Sequence, residues 1–170
     1  MKIFNVHERR LSLSVERAGA AIDSLTKKND CLWPSYRWPA MEFDGPLREG
    51  VSGGHGPVKY SVAEYIPGKR IVFSFDESGV VAGIDGRHYF EVVPRRKKVI
   101  LRHVLEGECG LKDWLLWHAF IGPCHDALLE DGLDLAENTL TGSSKKTRLG
   151  LRVKLLRKII AGKKTGAETS

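Results

Sequence analysis

Residues 111–136, LKDWLLWHAFIGPCHDALLEDGLDLA, contain the longest helical pattern of hydrophobic residues in the chain. At 100° per residue, one stripe of this segment carries its apolar residues and two histidines: Leu111, Trp114, Leu115, His118, Gly122, His125, Leu129, Leu133 and Ala136. We predict one long helix from Leu111 to Leu140. It should kink at Gly122-Pro123, because proline lacks a backbone donor and clashes with the preceding turn.

The other faces of this predicted helix differ between its two halves. Trp117, Phe120 and Cys124 lie opposite the stripe, so the first half is apolar almost all round. That pattern indicates burial on two sides or a contact between two copies of the chain. The second half carries five acidic residues, which we expect to form a solvated outer face: Asp126, Glu130, Asp131, Asp134 and Glu137.

The chain before this helix has the alternating pattern of antiparallel strands. Ile3 to Val15 has strand character and is followed by a short helical stretch, roughly Glu16 to Lys27. Consecutive strands are predicted between Leu47 and Glu108. Their more apolar faces should point inward. One such face carries His88, Phe90 and Val92, and the next carries Val99, Leu101, His103 and Leu105.

Length and composition suit one globular domain. The chain has 170 residues, 42% hydrophobic and 28% charged, and no apolar run approaches the roughly 18 residues of a membrane span. The N-terminus, MKIFNVHERR, lacks the apolar core of a secretory signal. The three cysteines form no CxxC pair. These features favour a reduced, cytoplasmic protein.

The positive charge is concentrated at the C-terminal end. Nine of the 27 Lys and Arg residues lie in residues 141–170, together with a single acidic residue, Glu168. We divide the chain into a domain at 1–140 and a basic linker and tail at 141–170. Residues 149–161 form a partly amphipathic basic helix, which can pack on its own domain, dock on a partner or lie on an anionic membrane surface. The nearly neutral body makes nucleic acid an improbable partner.

The order of elements is similar to that of a known superfamily. The segments that carry the resemblance are HERRLSLSVERAGAAIDSL, LWPSYRWP, GGHGPVKYSVAEYIPGKRIVFSF and the helix quoted above. Residues 1–140 resemble the START and polyketide-cyclase-like (SRPBCC) superfamily. The resemblance implies an α+β helix-grip fold, in which a curved antiparallel sheet of six to seven strands wraps around a long C-terminal helix. It also implies a cavity for lipids, sterols, polyketides or hormones, which some members cyclise or hydrolyse.

Four histidines fall on predicted inward faces of the sheet and the helix: His88, His103, His118 and His125. Imidazole titrates near neutrality, so these side chains are the candidates for general acid or base catalysis. As an alternative, each is a core histidine with a backbone or tyrosine partner. Five aromatic residues complete the predicted cavity lining: Tyr60, Phe73, Phe75, Phe90 and Trp114.

We predict neither a cofactor nor a metal. The segment Gly50 to Gly56 lacks the Lys-Ser/Thr pair of a phosphate loop, and we interpret it as a bulged strand or tight hairpin. His118 and His125 lie about 10.5 Å apart along a helix, which is too far for one zinc ion.

Three functions follow from these patterns. The first is binding of a small hydrophobic ligand of lipid, polyketide or aromatic type. The second is a cyclase or dehydratase-type enzyme in which a cavity histidine moves a proton. The third is a module that binds a membrane surface or a partner through its basic tail, and a homodimer is compatible with each.

Overall fold

The computed structural model describes residues 1–162, with side chains through residue 156, and its centre is one antiparallel sheet. Seven strands form it: β1 (Lys2–Leu11), β2 (Met41–Phe43), β3 (Ser52–His55), β4 (Val58–Ile66), β5 (Arg70–Gly79), β6 (Ile84–Arg95) and β7 (Lys98–Cys109). Their spatial order is β1-β7-β6-β5-β4-β3-β2. The predicted α+β fold with a sheet of six to seven strands is confirmed.

Helices cover the inner face of the sheet. They are α1 (Val15–Asp23), α2 (Leu111–Leu116), a π-helical turn (Trp117–Ile121), α3 (Gly122–Thr141) and α4 (Leu151–Gly162). Most buried apolar side chains belong to one cluster, which joins α1, α3 and the inward residues of β4 to β7. The predicted long C-terminal helix is confirmed, although its first part changes helix type.

The π-helical turn changes which face of the helix meets the sheet. A π turn holds one residue more than an α turn, so the residues before it are rotated by about 100° relative to an uninterrupted helix. Trp117 is therefore buried, whereas Leu111, Leu115 and His118 are exposed. The predicted inward stripe is wrong over residues 111–118 and correct from Gly122 onward.

The start of α4 packs against the π-helical turn. Pro123 offers no N–H to the carbonyl of Ala119, which an α-helix would otherwise satisfy. Arg152 of α4 donates through Nη2 to the carbonyl oxygens of Ala119 and His118, the latter at 3.1 Å. Leu149 and Val153 are buried in the main core cluster. Residues 149–153 therefore fold back onto the domain.

In the predicted basic helix of the tail, Leu149 and Val153 pack inward, whereas Leu151 and Leu155 are exposed. The part of the tail after residue 162 lies outside the described residues, and so do the side chains of residues 157–162. Among the helices within residues 1–162, none has both the length and the hydropathy of a membrane span.

The acidic residues of α3 do not form the predicted solvated face. Asp131, Asp134 and Glu137 are all buried. Asp131 accepts hydrogen bonds from Arg37 and from the indole of Trp38. The prediction failed because it treated carboxylates as solvent-seeking groups, whereas cationic and N–H partners from the loop after α1 and from β1 compensate their burial.

A close backbone contact seats α1 on the turn between β4 and β5. Asp23 accepts hydrogen bonds from the hydroxyl of Tyr65 and from the N–H of Gly68, both at 2.8 Å. A Cβ atom on Gly19 would stand 2.1 Å from the carbonyl oxygen of Gly68. No side chain fits there without displacing the helix from the turn.

The substitution Gly19→Ala should therefore destabilise the protein by about 1–3 kcal/mol, even though alanine is the better helix former. Chemical denaturation would measure the effect. Gly45→Ala is the matched control, because nothing lies within 4 Å of its added Cβ. Equal stability of the two variants would contradict the close packing of α1.

Candidate functional site

The centre of the interior holds two hydrogen-bonded histidines. His88 lies on β6 and His103 on the neighbouring β7, and both are buried. Nδ1 of His88 and Nε2 of His103 are 3.1 Å apart. One imidazole must donate and the other accept, which fixes their tautomers relative to each other. The prediction that both histidines face inward is confirmed.

The helix contributes one of its two predicted histidines to this centre. The ring of His125, on α3, lies 5.2 Å from that of His103 and 5.3 Å from that of Trp117. His118 does not join them. It is exposed and packs on Trp114 with a ring separation of 4.3 Å. Its predicted inward position is wrong, because the π-helical turn rotates it away.

A fifth histidine, His55, extends the cluster toward the edge of the sheet. Its Nδ1 lies 3.0 Å from the hydroxyl of Tyr60, and its ring lies 4.7 Å from Trp33. The glycine-rich segment containing it is strand β3, paired between β2 and β4. Added Cβ atoms at Gly53 and Gly54 would clash with the neighbouring backbone. This agrees with the interpretation of the segment as a bulged strand or tight hairpin.

Aromatic rings surround the two central histidines. Phe73 and Phe75 stack on His88 at 4.9 and 5.2 Å. Tyr60 meets His88 edge-on at 4.9 Å, and Phe90 meets His103 at 4.7 Å. Four of the five predicted aromatic residues thus contact the cluster directly. The fifth, Trp114, packs in a second apolar cluster with Trp117. Their role in ligand binding stays a prediction.

The interior imidazoles favour the neutral state. Burial lowers the pKa of His55 to about 3. Burial also lowers the pKa of His88 and His103, and repulsion from neighbouring imidazoles lowers it further. At His125, burial lowers the pKa more than the contact with Asp126 raises it. Burial raises the pKa of the Tyr60 hydroxyl. The cluster therefore presents neutral donors and acceptors rather than charges at pH 7.

Several nitrogens of the cluster have no hydrogen-bond partner among the described residues. They are Nε2 of His88, Nδ1 of His103 and Nδ1 of His125. Burying such an atom without a partner costs free energy. Natural proteins nearly always provide a partner, from the protein itself or from bound water.

Sequence reasoning missed a second polar group beside the cluster, which β1 and α3 form together. Nδ1 of His7 lies 2.8 Å from Glu130, and its Nε2 lies 3.2 Å from Asp126. Asn5 donates to Asp126 at 2.8 Å. Arg9 makes ion pairs of 2.9 Å with Glu130 and Asp134.

The sequence did contain a signal for this group. In β1, every second residue from Ile3 to Leu11 is at least partly buried, and Asn5, His7 and Arg9 are the polar members of that face. The segment from Ile3 to Val15 was predicted to be a strand, but the polar residues on its inward face were not identified.

The charge state of His7 differs from that of the central histidines. Burial by itself would lower its pKa, but hydrogen bonds to Asp126 and Glu130 and their negative charges raise it above 6.5. For Asp126, burial favours the neutral acid, yet contacts with His125, His7 and Asn5 outweigh it and lower the pKa. The edge of the cluster is thus ionic and its centre is neutral.

The surface of the described residues includes the following two depressions. One, of about 620 Å³, lies along β1, β5, β6 and β7 and includes Phe4 and Arg87. The other, of about 580 Å³, lies beside α1 and includes Met41, Phe43 and Tyr65. Neither is lined by a histidine, so the predicted cavity does not coincide with either of them.

Solved structures with a similar fold include three of interest. CalU16 from Micromonospora echinospora has a TM-score of 0.55 and 14% identity over 98% of this chain and 89% of its own. Norcoclaurine synthase from Thalictrum flavum, in complex with dopamine and hydroxybenzaldehyde, has a TM-score of 0.61 and 17% identity over 85% and 90%. The Aha1 dimer from Colwellia psychrerythraea has a TM-score of 0.57 and 14% identity over 84% and 99%.

These likenesses establish the fold. The chain is a helix-grip protein, with the architecture that the resemblance to the START and polyketide-cyclase-like superfamily implied. No family profile matches the sequence, and no curated protein matches it.

The neutral histidines make the stability of the protein sensitive to acid. Below about pH 6.5 the unfolded chain protonates His55, His88, His103 and His125, whereas the folded chain resists protonation. The free energy of unfolding should therefore fall as the pH decreases from 7 to 5. The raised pKa of His7 has the opposite effect on the free energy of unfolding. It comes from one group, whereas four histidines have lowered pKa values.

Urea unfolding at several pH values would measure this slope. His88→Gln should reduce it by up to about 1.4 kcal/mol per pH unit, because one proton fewer is taken up on unfolding. His118→Gln, at an exposed site, should leave the slope unchanged. An unaltered slope in His88→Gln would show that this imidazole is protonated in the folded protein.

Proposed function

We propose that the protein binds a small aromatic molecule between the sheet and α3, next to His88 and His103. The observation that carries the proposal is the pair of buried imidazole nitrogens that have no partner among the described residues, Nε2 of His88 and Nδ1 of His103. Hydrogen-bonding groups of a ligand would complete them. A hydroxyl or a carbonyl on an otherwise apolar molecule meets this requirement.

The rings around these nitrogens favour an aromatic ligand over an aliphatic one. Phe73, Phe75 and Tyr60 contact His88 on different sides, and Phe90 contacts His103. Such walls provide offset stacking and edge contacts for a planar guest. A few polar groups in a mainly apolar lining would then fix its orientation.

Access to this interior would be through the depression beside α1. Phe43 lines that depression and also packs at 5.8 Å against the rings of Tyr60 and Phe73. It is half-buried, on the short strand β2, which pairs only with β3. Rotation of this single side chain would open a path from the depression toward Tyr60 and Phe73, which contact His88.

The structural neighbours support the same class of ligand. The norcoclaurine synthase structure holds dopamine and hydroxybenzaldehyde, two hydroxylated aromatic molecules. At 17% identity the likeness concerns the fold, so the ligand class comes to this chain as part of the proposal.

Native mass spectrometry of freshly purified protein would reveal a retained natural ligand. For a binding experiment, hydroxybenzaldehyde is a suitable first probe. In an NMR titration, hydroxybenzaldehyde should shift the imidazole signals of His88 and His103. His88→Phe should weaken binding about tenfold, since the phenyl ring keeps the stacking and loses one hydrogen bond. Phe120→Ala, at an exposed aromatic residue, is the control.

A bare mass, together with unchanged imidazole signals for a panel of hydroxylated aromatic compounds, would contradict the proposal. Equal affinity of His88→Phe and the wild-type protein would place the ligand elsewhere. Phe43→Ala separates the access route from the binding site. It should speed association and leave the hydrogen bonds to the histidines unchanged.

A cyclase or dehydratase-type reaction is the second candidate, and the His88–His103 hydrogen bond favours it. Burial favours the neutral form of both imidazoles, and the outer nitrogen of each has no partner among the described residues. A proton accepted at one end can therefore be released at the other, as general acid–base catalysis requires.

The enzyme hypothesis can be tested on the pair dopamine and hydroxybenzaldehyde, with product formation followed by mass. His103→Gln should abolish an acceleration seen with the wild-type protein while changing affinity by less than about tenfold, or 1.4 kcal/mol. His118→Gln should retain full activity. Equal loss of binding and turnover in His103→Gln would argue for a structural role of this histidine.

Membrane-surface binding and dimer formation through the tail or helix stay predictions. Among the described side chains of α4, Leu151 and Leu155 are exposed apolar residues, with Arg148 and Lys154 nearby in sequence. The dimer of the Aha1 protein is compatible with a dimer here. The inward packing of Leu149 and Val153 reduces the apolar area that a membrane could contact.

A further inference from the structure

We propose that His7, His125 and Asp126 form a binding site for a divalent transition-metal ion, with Zn²⁺ as the reference ion. The three residues come from two elements, β1 and α3, which the fold brings together at the edge of the histidine cluster. One ligand atom from each lies within 4.8 Å of the other two. This inference is independent of the proposed aromatic ligand.

The distances are close to those of a coordinated ion. With metal–ligand bonds near 2.0–2.2 Å, two ligands of a tetrahedral zinc stand about 3.3–3.5 Å apart. Nε2 of His7 and Oδ1 of Asp126 are 3.2 Å apart, and Nδ1 of His125 and the same oxygen are 3.9 Å apart. A small rotation of His125 toward the other two ligands would complete the geometry.

The hydrogen bonding of His7 prepares one nitrogen for a metal. Nδ1 of His7 lies 2.8 Å from Glu130, which in turn pairs with Arg9 at 2.9 Å. If Nδ1 donates its proton to this carboxylate, the lone pair of Nε2 faces Asp126. Many metal-binding histidines are oriented by such a carboxylate on the distal nitrogen.

Two buried atoms distinguish a metal ion from a simple ion pair. A doubly protonated His7 would bridge Asp126 and Glu130 without any metal. However, it would leave Nδ1 of His125 and Oδ1 of Asn5 buried without a hydrogen-bond partner among the described residues. A cation between His7 and Asp126 would use the nitrogen of His125 directly. After an amide flip, Asn5 would also turn its oxygen toward the cation.

The chemistry of the ligands selects the class of ion. Two imidazoles and one carboxylate suit zinc, cobalt or nickel better than magnesium or calcium, which prefer oxygen ligands. Asp126 is half-exposed, so an ion can reach the site from solvent. Three protein ligands leave a fourth position for water or a small anion.

The test is a titration of the EDTA-treated full-length protein with Zn²⁺, in competition with a chromophoric chelator. The wild-type protein should bind one equivalent, and Zn²⁺ should raise its Tm. Asp126→Asn and His125→Gln should each abolish this binding and the Tm shift. Glu130→Gln should weaken binding about tenfold, because it removes only the group that orients His7.

His118→Gln is the matched control, since it removes an exposed histidine of the same helix and should bind Zn²⁺ as the wild type does. Circular dichroism of each metal-free variant establishes that it is folded. The proposal is overturned if the wild type takes up no Zn²⁺, or if Asp126→Asn and His125→Gln bind it undiminished. Hydroxybenzaldehyde titrations of the same metal-free samples keep this result separate from the proposed ligand.

Discussion

Arg9 determines how the long helix sits on the sheet. Its guanidinium forms ion pairs with Glu130, Asp134 and Glu137, which are spaced to lie on one face of α3. Rotation of the helix about its axis would separate these partners and leave buried charges uncompensated, at a cost of several kcal/mol. The orientation of His125 therefore depends on Arg9, which lies on β1 two residues after His7. The polar edge orients the helix, and the apolar core fills the space beneath it.

The interior has a gradient of polarity that follows from this arrangement. At the β1–α3 edge, carboxylates stabilise an imidazolium at His7. Deeper in, burial keeps His125, His103 and His88 neutral. A protein interior packed only for stability would replace these imidazoles with apolar side chains of similar volume. The buried imidazoles therefore cost free energy of folding that apolar side chains would not.

The sequence predicted the fold well because period and order are local properties. Alternation identified the inward faces of β6 and β7, including His88 and His103, and the helical stripe placed His125 correctly. The helical stripe failed at His118. A π-helical turn has no periodic signature of its own, and it rotates the helical residues that precede it. Sequence reasoning also failed at Asp131, Asp134 and Glu137, whose partners lie far away in the chain. Polar residues were assigned to solvent by type, and only the tertiary structure reveals which cations accompany them.

The pairing of β1 with β7 has a consequence for how the protein folds. Lys2 pairs with Glu108 and Leu11 with Val99, so the most distant strands in sequence are neighbours in the sheet. Contacts of such long range close slowly, because chain entropy is lost before they form. Hairpins such as β6–β7 can form early, and until β1 docks its inward apolar residues Ile3 and Leu11 are uncovered. The stage before β1 docks is therefore the one at which self-association competes most strongly with folding.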